Sequence, residues 1–157
     1  MRTIFLFITI IFFSCSKNNS ILESYFGDDN SLDIITWNIE NFPKHDNTVD
    51  LVSETILSLN PDIIALQEIE NHSNFQKLID SLGPPWQGYR SENSDFGELS
   101  YLINTNTIQI LESPIQILEN DSYYFAYREP YVLEFSFNQT PYVIINVHYK
   151  CCGDGLI

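Results

Sequence analysis

The sequence predicts an α+β fold, two β sheets packed as a sandwich with helices outside them, and three observations carry this expectation. Strand and helix patterns alternate through the first half of the regular region, only strands follow from about Leu99, and the apolar spacing changes accordingly. "LDIITWN" (32–38) reads as a strand ending on Asn38. Asn47 or Thr48 can cap a helix through about Leu59, whose Val49, Val52, Ile56 and Leu59 form one stripe at helical spacing, and Asn60-Pro61 stops it. The run Ile63, Ile64, Ala65, Leu66 is short, apolar and bounded by Pro61, as a buried strand over 62–67 should be. A second helix near Asn74–Leu82 turns Phe75, Leu78, Ile79 and Leu82 inward, with Gly83 as its C-terminal cap, and "GPPW" (83–86) is a break. "LSYLIN" (99–104), "TIQILES" (107–113), "YVLEFSF" (131–137) and "YVIINVHY" (142–149) then form a meander, with "NQTP" as a hairpin turn between the last two.

With 157 residues, 44% of them hydrophobic and 14% aromatic, the chain can bury a sizeable core as one domain. A net charge of −14 argues against a general electrostatic grip on nucleic acid or anionic lipid. It leaves room for a single phosphate held locally by a cation and a few basic side chains. Residues 1–15, "MRTIFLFITIIFFSC", have Arg2, then an apolar run too short to span a bilayer comfortably, then Ser14 and Cys15. This pattern resembles a bacterial lipoprotein signal, in which Cys15 is lipidated and becomes the N-terminus; plain secretion or an N-terminal anchor are the alternatives. Residues 16–30 read as a linker, polar apart from Ile21–Phe26. The expected setting is the bacterial cell envelope, facing periplasm or exterior, with the membrane reached through the lipid.

The chemistry is expected at the strand ends. Asn38 and Glu68 each follow an apolar run, and a helix connects their strands, so adjacent strands would bring both groups to one sheet edge. A carboxylate there, beside an amide, suits a hard divalent cation that prefers oxygen ligands. The plainer alternative is that Glu68 is the first solvated residue after a strand. "INVHY" repeats the device with His148, whose imidazole can donate to a phosphate oxygen or a leaving group, or serve the structure only. Arg128, ahead of the strand 131–137, has the planar fork that clamps phosphate, although most arginines so placed are surface residues.

Taken together, "TWNIENF", "PDIIALQEIEN", "YREPYVLEFSF" and "VIINVHYKCCGDG" resemble the endonuclease/exonuclease/phosphatase superfamily from about Leu32 to the last residue. The resemblance implies a two-sheet sandwich flanked by helices that cleaves phosphoesters with Mg²⁺, or with Mn²⁺ or Ca²⁺. It implies that Glu68 binds the metal, that Asn38 helps place metal or phosphate, and that Arg128 and His148 contact the scissile phosphate. Glu98, in "GELSYLIN", aligns loosely with a carboxylate that orients the histidine. The substrate would be a phosphoester of nucleic acid, phospholipid or sugar phosphate, and the complete protein a monomer.

The resemblance also has gaps. The family's later Asp-x-Asn motif and terminal Asp-His pair, which supply further contacts and the base that activates water, are missing from the sequence. Residues 31–157 are therefore expected to be the N-terminal part of the domain, inactive by itself. The alternative is a non-catalytic envelope lipoprotein that uses the same scaffold for binding. Cys151 and Cys152 could form a strained vicinal disulfide or pair elsewhere; two adjacent cysteines make a poor metal site.

Overall fold

The computed structural model of the chain describes residues 30–92 and 97–149. The signal segment, Cys15, nearly all of the linker, Cys151 and Cys152 lie outside the described residues. Within them the order is β1 (Ile34–Phe42), α1 (Thr48–Leu59), β2 (Ile63–Ile69), α2 (His72–Leu82), β3 (Trp86–Arg90), β4 (Glu98–Asn104), β5 (Ile108–Gln116), a 3₁₀ segment (Glu119–Phe125), β6 (Tyr131–Phe137) and β7 (Thr140–Asn146). Four strands form one sheet in the order β1-β2-β4-β3, and β5-β6-β7 form a second. The fold is the expected α+β sandwich.

Alternation along β2 and β4 makes three layers from two sheets. Ile64, Leu66 and Leu102 face the helices and join Val52 and Ile56 of α1 and Phe75, Leu78 and Leu82 of α2. Ile63, Ala65, Leu99, Tyr101 and Ile103 face the other way, onto Ile108, Tyr131, Leu133, Phe135 and Phe137 of the second sheet. Because both of its faces are covered, β2 reads as an unbroken apolar run rather than an alternating one. α1 closes on left-handed Asn60, whose N–H reaches the Ile56 carbonyl, and α2 closes on Gly83 at φ 62°. Asn71 caps α2 by accepting from Asn74 N at 3.1 Å, so that helix begins earlier than its apolar stripe indicates.

Several expectations need correction. The strand at 99–104 does not open a meander: β4 inserts between β2 and β3, antiparallel to both, and only β5-β6-β7 is a meander. The break after "GPPW" holds a strand, β3, which the sequence pattern conceals because it forms by pairing with β4. Gly88 lets β3 pass close beneath α2, since a Cβ there would meet Ile79 Cδ1 at 2.3 Å. β1 does not end at Asn38 but runs to Phe42, and β7 ends at Asn146, two residues short of His148. The hairpin turn at Asn138–Gln139 is as expected, with both residues left-handed at φ 48° and 65°.

Candidate active site

β1 and β2 are parallel neighbours, in register from Ile34↔Ile63 to Asn38↔Gln67, and beyond that point both ladders are irregular. Glu40, Asn41 and Glu68 all adopt positive φ there, at 36°, 53° and 64°. Each such non-glycine residue costs on the order of 1–3 kcal/mol, which the surrounding sheet must hold in place. The irregularity re-aims Glu68. Regular alternation would send it to the helix face with Leu66, whereas Glu68 lies at the edge with its side chain 20% exposed. Asn38 Nδ2 donates to Glu68 Oε1 at 2.9 Å, and Asn41 N donates to Oε2 at 3.1 Å. The Asn38 amide holds the Glu68 carboxyl below its ordinary value; burial pulls the other way, and the Asn41 N–H, His148 and Arg128 help to outweigh it. Glu68 is therefore a carboxylate at neutral pH. Asn38 Oδ1 accepts from Glu40 N at 2.9 Å, so it is the amide NH₂ that Asn38 turns toward the site.

His148 comes from the other sheet. Its Nε2 lies 3.5 Å from Glu68 Oε1 and 3.4 Å from Asn38 Nδ2, and its Nδ1 lies 2.7 Å from Arg128 Nη1. A guanidinium only donates, so Nδ1 is the unprotonated, accepting nitrogen, and the proton of the neutral ring sits on Nε2. Burial lowers the histidine's affinity for a second proton, Arg128 adds to that, and Glu68 opposes it. Arg128 in turn packs on Gly97, a left-handed glycine where a Cβ would sit 3.1 Å from Nη1. The structure thus joins four of the expected residues, Asn38, Glu68, Arg128 and His148, into one polar chain across the sandwich edge.

Glu98 is nearly fully buried and accepts a short hydrogen bond from Ser91 Oγ, while both ring nitrogens of His148 face other groups. A further layer beneath the site has no local signature in the sequence. Asn146 Oδ1 accepts from Gln67 Nε2 at 2.7 Å, and its Nδ2 donates to the carbonyls of Leu66 at 2.8 Å and Ser100 at 3.2 Å. These bonds tie β7 to β2 and β4 two residues before His148. An asparagine at i−2 from the histidine was the available signal, but its partners are 46 to 80 positions away.

The sandwich thus carries an ionised carboxylate, a neutral imidazole and a guanidinium at one edge. Residues 35–149 match the Endonuclease/Exonuclease/phosphatase family, and the chain belongs to that family. No curated protein matches the sequence. Among solved structures, the chain is similar to D. rerio TDP2 complexed with single strand DNA product (15% identity, TM-score 0.66, covering 79% of this chain and 48% of that one). It is also similar to the endonuclease/exonuclease/phosphatase from Bacteroides vulgatus (20%, TM-score 0.61, 78% and 54%). A third is the human Nocturnin catalytic domain with bound sulfate anion (18%, TM-score 0.54, 73% and 48%). At these identities the likeness is one of fold, and the chain spans about half the length of each.

Proposed function

We propose that the protein is a metal-dependent phosphoester hydrolase of the bacterial envelope, tethered through lipid on Cys15. The observation that carries the hydrolase reading is the Asn38–Glu68–His148–Arg128 chain at the sandwich edge. Glu68 fits a Mg²⁺-type site: it is ionised, lies at an open edge, and such ions often take one or two carboxylates and fill the rest with water and phosphate. When bound, the cation would neutralise the phosphate and stabilise the charge that develops on it. Asn38 and the Asn41 N–H orient the carboxylate, Arg128 fixes the His148 tautomer, and the Nε2 proton is directed toward the site for donation to a phosphate or leaving-group oxygen. The neighbours with bound single-stranded DNA product and bound sulfate support an anionic phosphoester as substrate. The envelope location is supported by the sequence of residues 1–15.

Among the described residues, no group of three or more His, Cys, Asp or Glu side chains could hold a metal. A Mg²⁺-type site needs no such group, and the alternative is a scaffold that binds without catalysing. Magnesium-dependent hydrolysis of a phosphodiester by the whole protein separates the two. Glu68→Gln should lower kcat by about 10²–10³-fold, the cost of removing one preorganised charged group. Wild-type turnover in that variant across a magnesium titration would overturn the hydrolase reading of the site. The location has its own test: the exported protein should partition with membranes, and Cys15→Ser should release it.

A further inference from the structure

We propose that Gln67 and Asn146 are positioning residues, whose paired amides set the reach of His148 on one sheet toward Glu68 and Asn38 on the other. This rests on reading the site as a phosphoester hydrolase, and it adds two buried residues that act through the site residues.

Ordinary sheet bonding gives out just before the site on β1, β2 and β7. The β1-β2 ladder is in regular register only to Asn38↔Gln67, the β2-β4 ladder shifts after Leu66, and the β6-β7 ladder ends at Tyr131↔Asn146. His148 lies two residues past the end of β7. At that level the buried amides take over. Gln67 Nε2 donates to Asn146 Oδ1 at 2.7 Å and lies 3.2 Å from both Thr36 Oγ1 and the Ala65 carbonyl. Asn146 Nδ2 donates to the Leu66 carbonyl at 2.8 Å and the Ser100 carbonyl at 3.2 Å. Thr36 is two residues before Asn38, Gln67 one before Glu68, and Asn146 two before His148. One cluster of hydrogen bonds therefore lies directly behind three of the four site residues and joins β1, β2, β4 and β7.

Stability alone does not call for amides here. Gln67 and Asn146 are 6% and 4% exposed, and the seam between the sheets is otherwise filled by Ala65, Tyr101, Tyr131 and Leu133. Apolar groups of the same shape could close that seam at similar stability, since a buried hydrogen bond nets little once desolvation is counted. What a buried amide pair adds is direction and distance. Asn146 Nδ2 is committed to two carbonyls, so its Oδ1 must face Gln67, and sliding one sheet over the other breaks all three bonds. Apolar contact would tolerate that slide. The site would not: His148 Nε2 lies 3.5 Å from Glu68 Oε1 and 3.4 Å from Asn38 Nδ2, and a misplacement of about 1 Å at reacting groups costs about 10²-fold in rate.

The test uses the whole protein and two readouts: magnesium-dependent hydrolysis of a phosphodiester, and the NMR signals of the His148 ring at one pH where the ring is neutral. In the wild-type background Glu68→Gln should move those ring signals, because the carboxylate faces Nε2. Gln67→Met should cut kcat about 10²-fold with KM nearly unchanged. In that background Glu68→Gln should no longer move the ring signals. Gln67→Met leaves Asn146 Oδ1 without its donor, so a second variant, Gln67→Met with Asn146→Leu, makes both sides apolar and guards against loss of folding. It should show the same two losses. Val52→Ala, in the core under α1, weakens the fold elsewhere and should keep both kcat and the effect of Glu68→Gln on the ring. Wild-type kcat and an undiminished ring effect in the folded double variant would overturn the positioning role and leave the hydrolase reading intact. Loss of the ring effect, with no hydrolysis by the wild type, would support the positioning and count against the hydrolase. Equal losses in Val52→Ala would overturn the proposal in favour of stability alone.

Discussion

His148 is held between two groups that push its proton affinity in opposite directions. Arg128, 2.7 Å from Nδ1, disfavours the imidazolium, and Glu68, 3.5 Å from Nε2, favours it, with burial adding to the arginine's side. Arg128→Gln should therefore raise the histidine's pKa, and Glu68→Gln should lower it further. An NMR titration of the ring protons reads both, and shifts of the same sign would refute the geometry. The folded-state value lies below the ordinary 6.5, so the unfolded chain binds the extra proton first. This contribution to stability is complete above about pH 6.5 and is lost as the pH falls below it. Glu68 behaves alike at a lower pH: its depressed pKa adds stability above about pH 4.5, lost as the pH falls through the folded value.

The elements meet at Asn146, where a strand of one sheet is bolted to two strands of the other. Asn146→Ala removes the amide that donates to the Leu66 and Ser100 carbonyls in the interior, and leaves the Gln67 amide with its longer contacts to Thr36 Oγ1 and the Ala65 carbonyl. It should cost about 1–3 kcal/mol in chemical denaturation, whereas truncating an exposed neighbour such as Val143 should stay within about 0.5 kcal/mol. Similar losses for the two would mean that the amide is not structurally engaged. This contact explains why part of the molecule was legible in the sequence and part was not. β2, α1, α2 and β6 announce themselves because their apolar periodicity is local and their stop signals, Asn60-Pro61 and Gly83, are adjacent. Asn38, Glu68, Arg128 and His148 were legible as polar groups beside strands. β3 was not, since "WQGYR" has no alternation and is a strand only because β4 pairs with it. Nor were the left-handed Glu40, Asn41 and Glu68, because strain of this kind is imposed by neighbouring strands and contradicts each residue's own preference. The Gln67–Asn146 bond spans 79 positions and has no trace in either local pattern.

At the scale of the whole molecule, the two faces of the second sheet differ. Its inner face is buried, but the register pairs Ile115 with Val132 and Val132 with Ile145, which places an apolar row on the outer face, with Ile115 and Ile145 59% and 55% exposed. Among the described residues β7 is also the last strand of its sheet. Ile145→Lys should therefore leave the thermal midpoint nearly unchanged, and a fall of several degrees would show that this face is covered. The interface between the sheets behaves differently toward solvent. Tyr101 donates to the Tyr131 carbonyl at 2.8 Å and accepts from Asn146 N at 2.9 Å, and the Tyr101 and Tyr131 rings stack at 5.5 Å. Burial pushes the Tyr101 phenol far above its ordinary value and the Tyr131 phenol to about 12. Both keep their protons in the sandwich when an unfolded chain would shed them, so stability falls as the pH rises past about 10. These two phenols are in effect a built-in clock. After a jump to alkaline pH, Tyr101 and Tyr131 should absorb as phenolate only when the sheets part. The slow rise of that signal would time the separation, with no dye or label added, and phenolate formation by these two within the mixing time would show that the interface is open to hydroxide.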